Sequence, residues 1–493
     1  MAQASVFEGG NTVDSNQGGK SRNGFPYNLE PLFHPRSVAI IGASTDLTGI
    51  GGRPIKFLIS HKYRGKIFPV NPKYQEIAGF KCYPSIKTIP EEVDVALIAL
   101  SAKFVSDIVF QCLEKGVKSA IIFSSGFGEI GGEGAEIQKR LGDLARKSNF
   151  PICGPNCIGV VNLRDGITLA FTNALYIEHM ISGNVGFISQ SGALGGSLFA
   201  IAQEMGLGFS YWVSSGNEEV LESTDYMYYM VQDPLTKVIL GYMEGFRDIN
   251  KLYHVAREAL KRRKPIVILK VGQSEVGKNA AASHTGAMTG PDYLYDGLFK
   301  QAGILRVRDL DEMFDVGALL ALGRLPGGNA VGILSSSGGA GVLLADKCLE
   351  HGLSIPQLVG KTKETLLNLL PPFGSALNPV DITGQSEERR FSGEPELLKN
   401  YIHVMLRDQS LHTMIIMLTM YIGKRAEMAA QDIVDVFRET DKPMVVCWIA
   451  GSLGEDGYKI LRKAGVPLFQ TPGRCIRAIS ALVKYSQSLQ NLV

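Results

Sequence analysis

No apolar run in this 493-residue chain approaches the about 20 residues needed to cross a bilayer, and the N-terminus has no apolar signal core. A cytoplasmic protein with no membrane partner is expected. Charge of one sign is also missing. Lys and Arg number 50 against 48 Asp and Glu, a net +2. No nucleic acid partner is indicated, and a bound anion must be held by local geometry. Cysteine is too sparse for a disulfide framework: Cys82, Cys112, Cys153, Cys157, Cys348, Cys447 and Cys475 are odd in number and scattered. Cys153 and Cys157 have no second pair nearby, so zinc spacing is absent and no metal site is expected. Reduced cytosolic thiols fit best. Gly18-Gly19-Lys20-Ser21 does not make a P-loop, because Asp14 stands at the first glycine position and no strand precedes it.

Glycine, in contrast, is abundant at 56, as expected where many strand-to-helix loops approach ligands. The length implies two to four domains. Residues 1–26 are polar and read as a disordered lead-in. Residues 27–160 then alternate strand and helix. Strands are expected at 36–41, 67–71, 95–100, 120–124 and 151–154, with helices such as 105–115 and 135–147 between them. That order gives a parallel sheet wound on both faces, a Rossmann-type domain. Its ligand belongs at the carboxyl ends of the strands, where Gly42-Ala43-Ser44, Asn71-Pro72-Lys73 and Ser124-Ser125-Gly126 emerge. Backbone N–H groups there can hold a diphosphate. The glycines lack G-x-G-x-x-G spacing, and Asn71-Pro72-Lys73 replaces the acid that NAD requires. A lysine suits a nucleotide with a phosphorylated ribose, which leaves coenzyme A and NADP as alternatives.

Residues 161–326 repeat the alternation, with strands at 184–189, 209–214, 237–243 and 265–271. Each ends in a distinct loop: Ser189-Gln190-Ser191-Gly192, Ser214-Ser215-Gly216-Asn217-Glu218, Glu244-Gly245-Phe246, and a small-residue loop carrying His284 and Gly286. A flavodoxin-like sheet would bring these ends to one edge. Gly192 opens a helix whose bare amides would accept an anion. His284 can act as a covalent nucleophile, and a loop of small residues lets it take more than one position. Glu244 could accept the Nδ1 proton of His284, leaving Nε2 to react, or form a strand-end salt bridge with Arg247. Residues 327–493 hold a third unit, with Ser335-Ser336-Ser337-Gly338 after its first strand. Duplication of one flavodoxin-like unit accounts for the pattern. No histidine sits in a comparable loop, so a structural or interface role is expected.

The ordered set resembles the α subunit of the nucleoside-diphosphate-forming acyl-CoA synthetases, the ADP-forming acetate–CoA ligase family within the succinyl-CoA synthetase superfamily. The stretches are Ser37–Ser44 (SVAIIGAS), Phe68–Lys73 (FPVNPK), Gly154–Gly159 (GPNCIG), Ile188–Leu194 (ISQSGAL), Ser283–Ala287 (SHTGA) and Asn378–Asp381 (NPVD). The resemblance implies that the first domain binds coenzyme A, with Asn156 of the GPNCIG stretch at that site. It implies that His284 is phosphorylated and that Glu244 orients the phosphohistidine. Ser189, Gln190, Ser191, Gly192, Asn217, Glu218 and Gly286 would then line the phosphate and acyl pocket. Nothing in the chain reads as an ATP-grasp domain. A separate β subunit carrying ATP or ADP and Mg²⁺ is therefore expected, in an α2β2 assembly, with a small carboxylic acid as substrate.

Three departures stand out. Arg53, not a residue near Thr48, is the basic group after the first loop, and Ser101 replaces a common proline. Glu218-Glu219-Val220 replaces Lys-Ala-Asp. Tyr211, Trp212, Tyr226, Tyr228 and Tyr229 lie close in sequence to that loop. They point either to a larger or aromatic-contacting acid or to core packing. Two other functions remain: ATP-independent CoA transfer or thioester hydrolysis, and a regulatory CoA- or acyl-CoA-binding subunit. The intact SHTG loop and Glu244 favour the ligase.

Overall fold

A computed structural model describes residues 24–277 and 292–491. Five parallel strands form the first sheet: β1 (Ser37–Ile41), β2 (Lys66–Val70), β5 (Val95–Ile98), β6 (Ser119–Ile122) and β7 (Ile152–Cys153). A small hairpin of β3 (Glu76–Ile77) and β4 (Phe80–Lys81) stands apart. The order β2-β1-β5-β6-β7 makes a doubly wound sheet whose direction of winding reverses between β1 and β5. All five residues of β1 are buried, as an apolar run covered by helices on both faces demands. Helix Ala102–Lys115 shows the matching helical pattern. It buries Ala102, Val105, Val109 and Cys112, and ends at Gly116 with φ +77°.

The second sheet has seven strands in the order β14-β13-β12-β10-β11-β8-β9. Its parallel part is β10 (Ser182–Ser189), β11 (Phe209–Ser214), β12 (Val238–Met243), β13 (Ile266–Lys270) and β14 (Leu305–Val307). The remaining two strands, β8 (Gly159–Asn162) and β9 (Ile167–Ala170), form an antiparallel hairpin added beside β11. The sequence reading has no strand there, and its boundary between residues 160 and 161 falls inside β8. The signal was present, since Asp165-Gly166 marks a hairpin turn and Gly166 has φ +65°.

The third sheet comprises β15 (Val331–Ser335), β16 (Val380–Asp381), β17 (Thr413–Thr419), β18 (Met444–Ile449) and β19 (Leu468–Phe469), all parallel in the order β16-β15-β17-β18-β19. Its order matches the parallel strands of the second sheet. The α/β organisation expected from the sequence therefore holds in all three units. Helix Leu310–Ala321 ends the second unit and packs on helix Pro472–Gln490, which ends the third. Arg474 clamps Asp315 there with two hydrogen bonds, at 2.7 and 2.8 Å.

The segment before β1 docks on the second unit. Phe25 stacks on Tyr228 at 4.0 Å, and Phe33 stacks on Tyr229 at 4.4 Å. Tyr211, Trp212 and Tyr226 are fully buried, and the Trp212 indole N–H donates to Gly195 O. These five aromatics pack the core and the N-terminal segment. Of the two roles the sequence leaves open for them, packing is the one observed. Among the described residues no helix is long and apolar enough to cross a membrane.

Candidate active site

The three first-domain loops named from sequence do emerge together at the carboxyl edge of the first sheet. Gly42 follows β1 with φ +86°, and a Cβ there would lie 2.5 Å from Ala99 O. The close approach of the loops after β1 and β5 therefore requires glycine. The Gly42 and Ala43 amides both donate to Val70 O, while Asn71 Nδ2 donates to Ala43 O at 2.7 Å. Asn71 Oδ1 accepts from the Lys73 amide, which leaves Pro72 and Lys73 exposed at the rim. Ser44 Oγ accepts from the Asp46 amide. Ser124 Oγ donates to Leu100 O, Ser125 is exposed, and Gly126 has φ +98°. Arg53 donates through Nε to Thr48 O and through Nη1 to Phe171 O. It is used to hold the loop and the end of β9.

At the carboxyl edge of the second sheet, Ser189 Oγ donates to Ser191 O at 2.7 Å and shapes the turn into helix Gly192–Glu204. Ser191, at the N-cap, makes no side-chain cap hydrogen bond. Gln190 reaches sideways. Its Oε1 accepts from the Glu244 amide at 2.6 Å and from the Gly245 amide at 3.2 Å, and its Nε2 donates to Gly245 O at 2.9 Å. Half-buried Glu244 thus stands on a backbone clamped by Gln190. Burial raises the Tyr242 phenol pKa, and the Glu244 charge beside it adds to the rise. Arg247 does not serve as the strand-end partner considered for Glu244. It donates to Asn217 O at 2.7 Å and lies 3.8 Å from Glu219.

Asn217 joins the two edges. Its Nδ2 donates to Glu129 Oε2 at 2.6 Å and to Gln138 Oε1 at 2.9 Å, and its Oδ1 accepts from Asn156 Nδ2 at 3.1 Å. All three partners belong to the first unit. Glu129 Oε1 in turn accepts from the Gly126 and Phe127 amides. Burial acts to raise the Glu129 pKa, but hydrogen bonds from Asn217 and from the Gly126 and Phe127 amides outweigh it and hold the carboxyl low. Glu219 accepts from Gln138 Nε2 at 2.9 Å and from Arg146 Nη2 at 3.1 Å. Sequence reading did not find Glu129, Gln138, Arg146 or Glu219 as junction residues. Glu129, three residues after Gly126 in a glycine-rich loop, was the available signal.

The described residues exclude His284 and Gly286, which lie between 278 and 291. Among the described residues no group of three or more His, Cys, Asp or Glu side chains is placed to hold a metal. All seven cysteines are buried and free, with Cys153 and Cys157 sulfurs 3.9 Å apart. The third unit repeats the second unit's turn: Ser335 Oγ donates to Ser337 O at 2.7 Å, as Ser189 does to Ser191. Asp381 lies beside that turn, its Oδ2 2.9 Å from where a Cβ of Gly338 would stand.

Three doubly wound units with ligand-type loops at their strand ends define a multidomain α/β enzyme-type chain. Residues 36–162 match a CoA binding domain, residues 182–320 a succinyl-CoA ligase-like flavodoxin domain, and residues 331–490 a ligase-CoA domain. The chain is 37% identical over 465 residues to acetate–CoA ligase [ADP-forming] II subunit alpha of Pyrococcus furiosus, covering 94% of this chain and 98% of that one. It is 37% identical over 459 residues to acetate–CoA ligase [ADP-forming] I of Archaeoglobus fulgidus, with 93% of this chain matching 64% of the relative. Among solved structures, the Ca. Korarchaeum cryptofilum dinucleotide forming acetyl-coenzyme A synthetase 1, in complex with phosphate and ADP, superposes with a TM-score of 0.86 at 32% identity. That match covers 94% of this chain and 98% of the other. The chain belongs to the ADP-forming acetate–CoA ligase family, as a chain of the alpha type.

Proposed function

We propose that this chain is the half of an ADP-forming acyl-CoA synthetase that binds coenzyme A and carries the phosphohistidine. It would interconvert carboxylic acid, CoA and ATP with acyl-CoA, ADP and phosphate. The observation that carries the reading is the Asn217 junction, which joins coenzyme-side Asn156 and Glu129 to the clamped Glu244 loop. Neither a thioesterase nor a regulatory subunit needs the SHTG sequence together with a carboxylate on a clamped loop.

The Gly42-Ala43-Ser44 loop, its first two amides held by Val70 O, and the rim at Asn71, Pro72 and Lys73 suit the coenzyme diphosphate and its ribose phosphate. Ser124, Ser125, Gly126 and Asn156 border the path towards the junction. The fit rests on the glycine-dependent loop approach at Gly42, where any side chain would displace Ala99.

In the ligation direction, His284 Nε2 takes the γ-phosphoryl group of ATP and ADP leaves. The acid's carboxylate then attacks phosphorus, the N–P bond breaks, and acyl phosphate forms. The CoA sulfur attacks the acyl carbon as the thiol proton is lost, the C–O bond breaks, and phosphate leaves. Glu244 accepts the Nδ1 proton of His284 and stabilises its phosphorylated form. The amides at Gly192, where Ser191 makes no side-chain cap, would receive the phosphoryl group together with Ser189 and Ser191. ATP and Mg²⁺ would be held by a separate ATP-grasp partner in an α2β2 assembly. In support, the Pyrococcus relative is called a subunit alpha, and the Archaeoglobus relative extends well beyond the matched region.

The test incubates the chain and its nucleotide-binding partner with γ-labelled ATP. An acid-labile, base-stable label should appear on this chain and be discharged by CoA together with a carboxylic acid. His284→Ala should abolish the label; a variant that keeps it refutes the role of His284.

A further inference from the structure

Ile158 follows closely on Asn156 in the chain, yet its side chain lies on the helix that opens at Gly192. A Cβ at Gly192 would stand 2.7 Å from Ile158 Cγ1 and 3.3 Å from its Cδ1. The space over the first residue of helix Gly192–Glu204 is therefore filled by this isoleucine, and glycine is what allows the approach. The Ile158 backbone is held at both ends. Its N–H donates to Ser214 Oγ at 3.1 Å, and its carbonyl accepts from the Phe171 N–H at 3.3 Å. Gly159 beyond it has φ +124°, and a Cβ there would lie 2.1 Å from Leu169 O in β9, so the chain fits closely at that point. Phe171 sets its ring edge-on to Phe123, with centroids 4.9 Å apart, and Phe123 precedes coenzyme-side Ser124. Ile158 and Phe171 are only half-buried, although their neighbours Cys157 and Ala170 are fully buried.

We propose that Ile158 is a specificity-determining residue, the side chain against which the acyl group packs, and that with Phe171 it selects an aliphatic monocarboxylic acid. The proposal rests on the assignment of the phosphoryl group to the Gly192 amides and of coenzyme A to the first unit. In an acyl phosphate the acyl carbon is one oxygen away from phosphorus, and the CoA sulfur has to reach that carbon from the coenzyme side. Ile158 touches Gly192 while Asn156, just before it, borders the coenzyme path. The chain carried by the acyl carbon therefore meets Ile158. A charged or hydroxylated chain would lose water against apolar carbon there without gaining a partner. Arg53, the guanidinium that reaches Phe171, is directed to the backbone carbonyls of Thr48 and Phe171. Shortening Ile158 opens space over Gly192 for a longer acid, and enlarging it closes that space.

The test uses the chain with its nucleotide-binding partner, first charged with label from γ-labelled ATP. CoA is then added with acetate, butyrate or hexanoate, and label discharge is timed for each acid. Relative to wild type, Ile158→Ala should raise the ratio of the hexanoate rate to the acetate rate about ten-fold or more, as expected when space for a methylene or more opens in an apolar site. Ile158→Val should move the ratio the same way by less, and Ile158→Phe should lower it. A purely structural role would slow discharge by all three acids alike. Unchanged ratios in variants that still take label would therefore overturn the inference while leaving the function intact. Should Ile158→Ala fail to fold, the opposite shifts expected of the valine and phenylalanine variants decide the matter. Labelled wild type that none of these acids discharges overturns the substrate class, and this inference with it. Failure of wild type to take label overturns the function itself.

Discussion

Asn217 gives the most direct test of the junction between the first unit and the loop after β11, to which we assign the coenzyme and phosphate sides. It is 4% exposed, and its amide makes three hydrogen bonds, one to the Glu129 carboxylate. A bond to a charged group contributes about 1.5–3 kcal/mol and a neutral one about 1 kcal/mol. Asn217→Ala should thus destabilise the first unit's attachment by about 3–5 kcal/mol, while the cores of the separate sheets are untouched. Hydrogen exchange should show early opening at residues 126–129 and 215–219. Calorimetric titration with coenzyme A should show affinity reduced about ten-fold or more. Asn217→Asp sharpens the test, because it places a carboxylate against Glu129 at the 2.6 Å contact. One of the two acids must then hold a proton, so this variant's defect should shrink as pH falls towards 5. A loss below about 1 kcal/mol in Asn217→Ala, with unchanged coenzyme affinity, refutes the junction as a functional element.

Three other perturbations test separate parts. Gly42→Ala puts a Cβ 2.5 Å from Ala99 O at φ +86°, and should weaken coenzyme A binding by calorimetry more than it lowers the melting temperature. Arg474→Ala strands Asp315, which is 6% exposed, and should cost about 3 kcal/mol in urea unfolding; replacing both residues by leucine should recover most of it. Burial acts to raise the Asp94 pKa, but the Lys118 hydrogen bond at 2.7 Å, the Arg36 amide and both positive charges outweigh it and lower the value. Its stabilising contribution is therefore present above the unfolded pKa of about 3.9 and lost as pH falls through the lower folded value. Asp94→Asn should be less stable at pH 7, with the gap to wild type closing under acid unfolding.

The sequence carried the architecture because apolar runs such as Val38–Ile41 and Ile266–Leu269, set between helical patterns, have only a parallel sheet covered on both faces in which to be buried. It also carried the loop positions, since Gly42, Gly126 and Gly192 stand where strands end. It did not carry hairpin β8–β9, whose four-residue strands add to another unit's sheet, or short strands β14, β16 and β19. Strands β8, β9 and β14 mix apolar residues with Gly159, Asn162, Thr168 and Arg306, and β16 and β19 have two residues each, so none stands out as a continuous apolar run.

Local chemistry, then, determined the units, the glycine turns and the residues able to carry an acyl or phosphoryl group. Only the tertiary structure decided their partners. Glu129 meets Asn217 and Gln138 meets Glu219 across residues far apart in the chain. The aromatic cluster near the Ser214–Glu218 loop is covered by Phe25 and Phe33, which stack on Tyr228 and Tyr229. Such pairings are set by how whole sheets dock, a property of buried area and hydrogen-bond geometry that no local pattern of residues encodes.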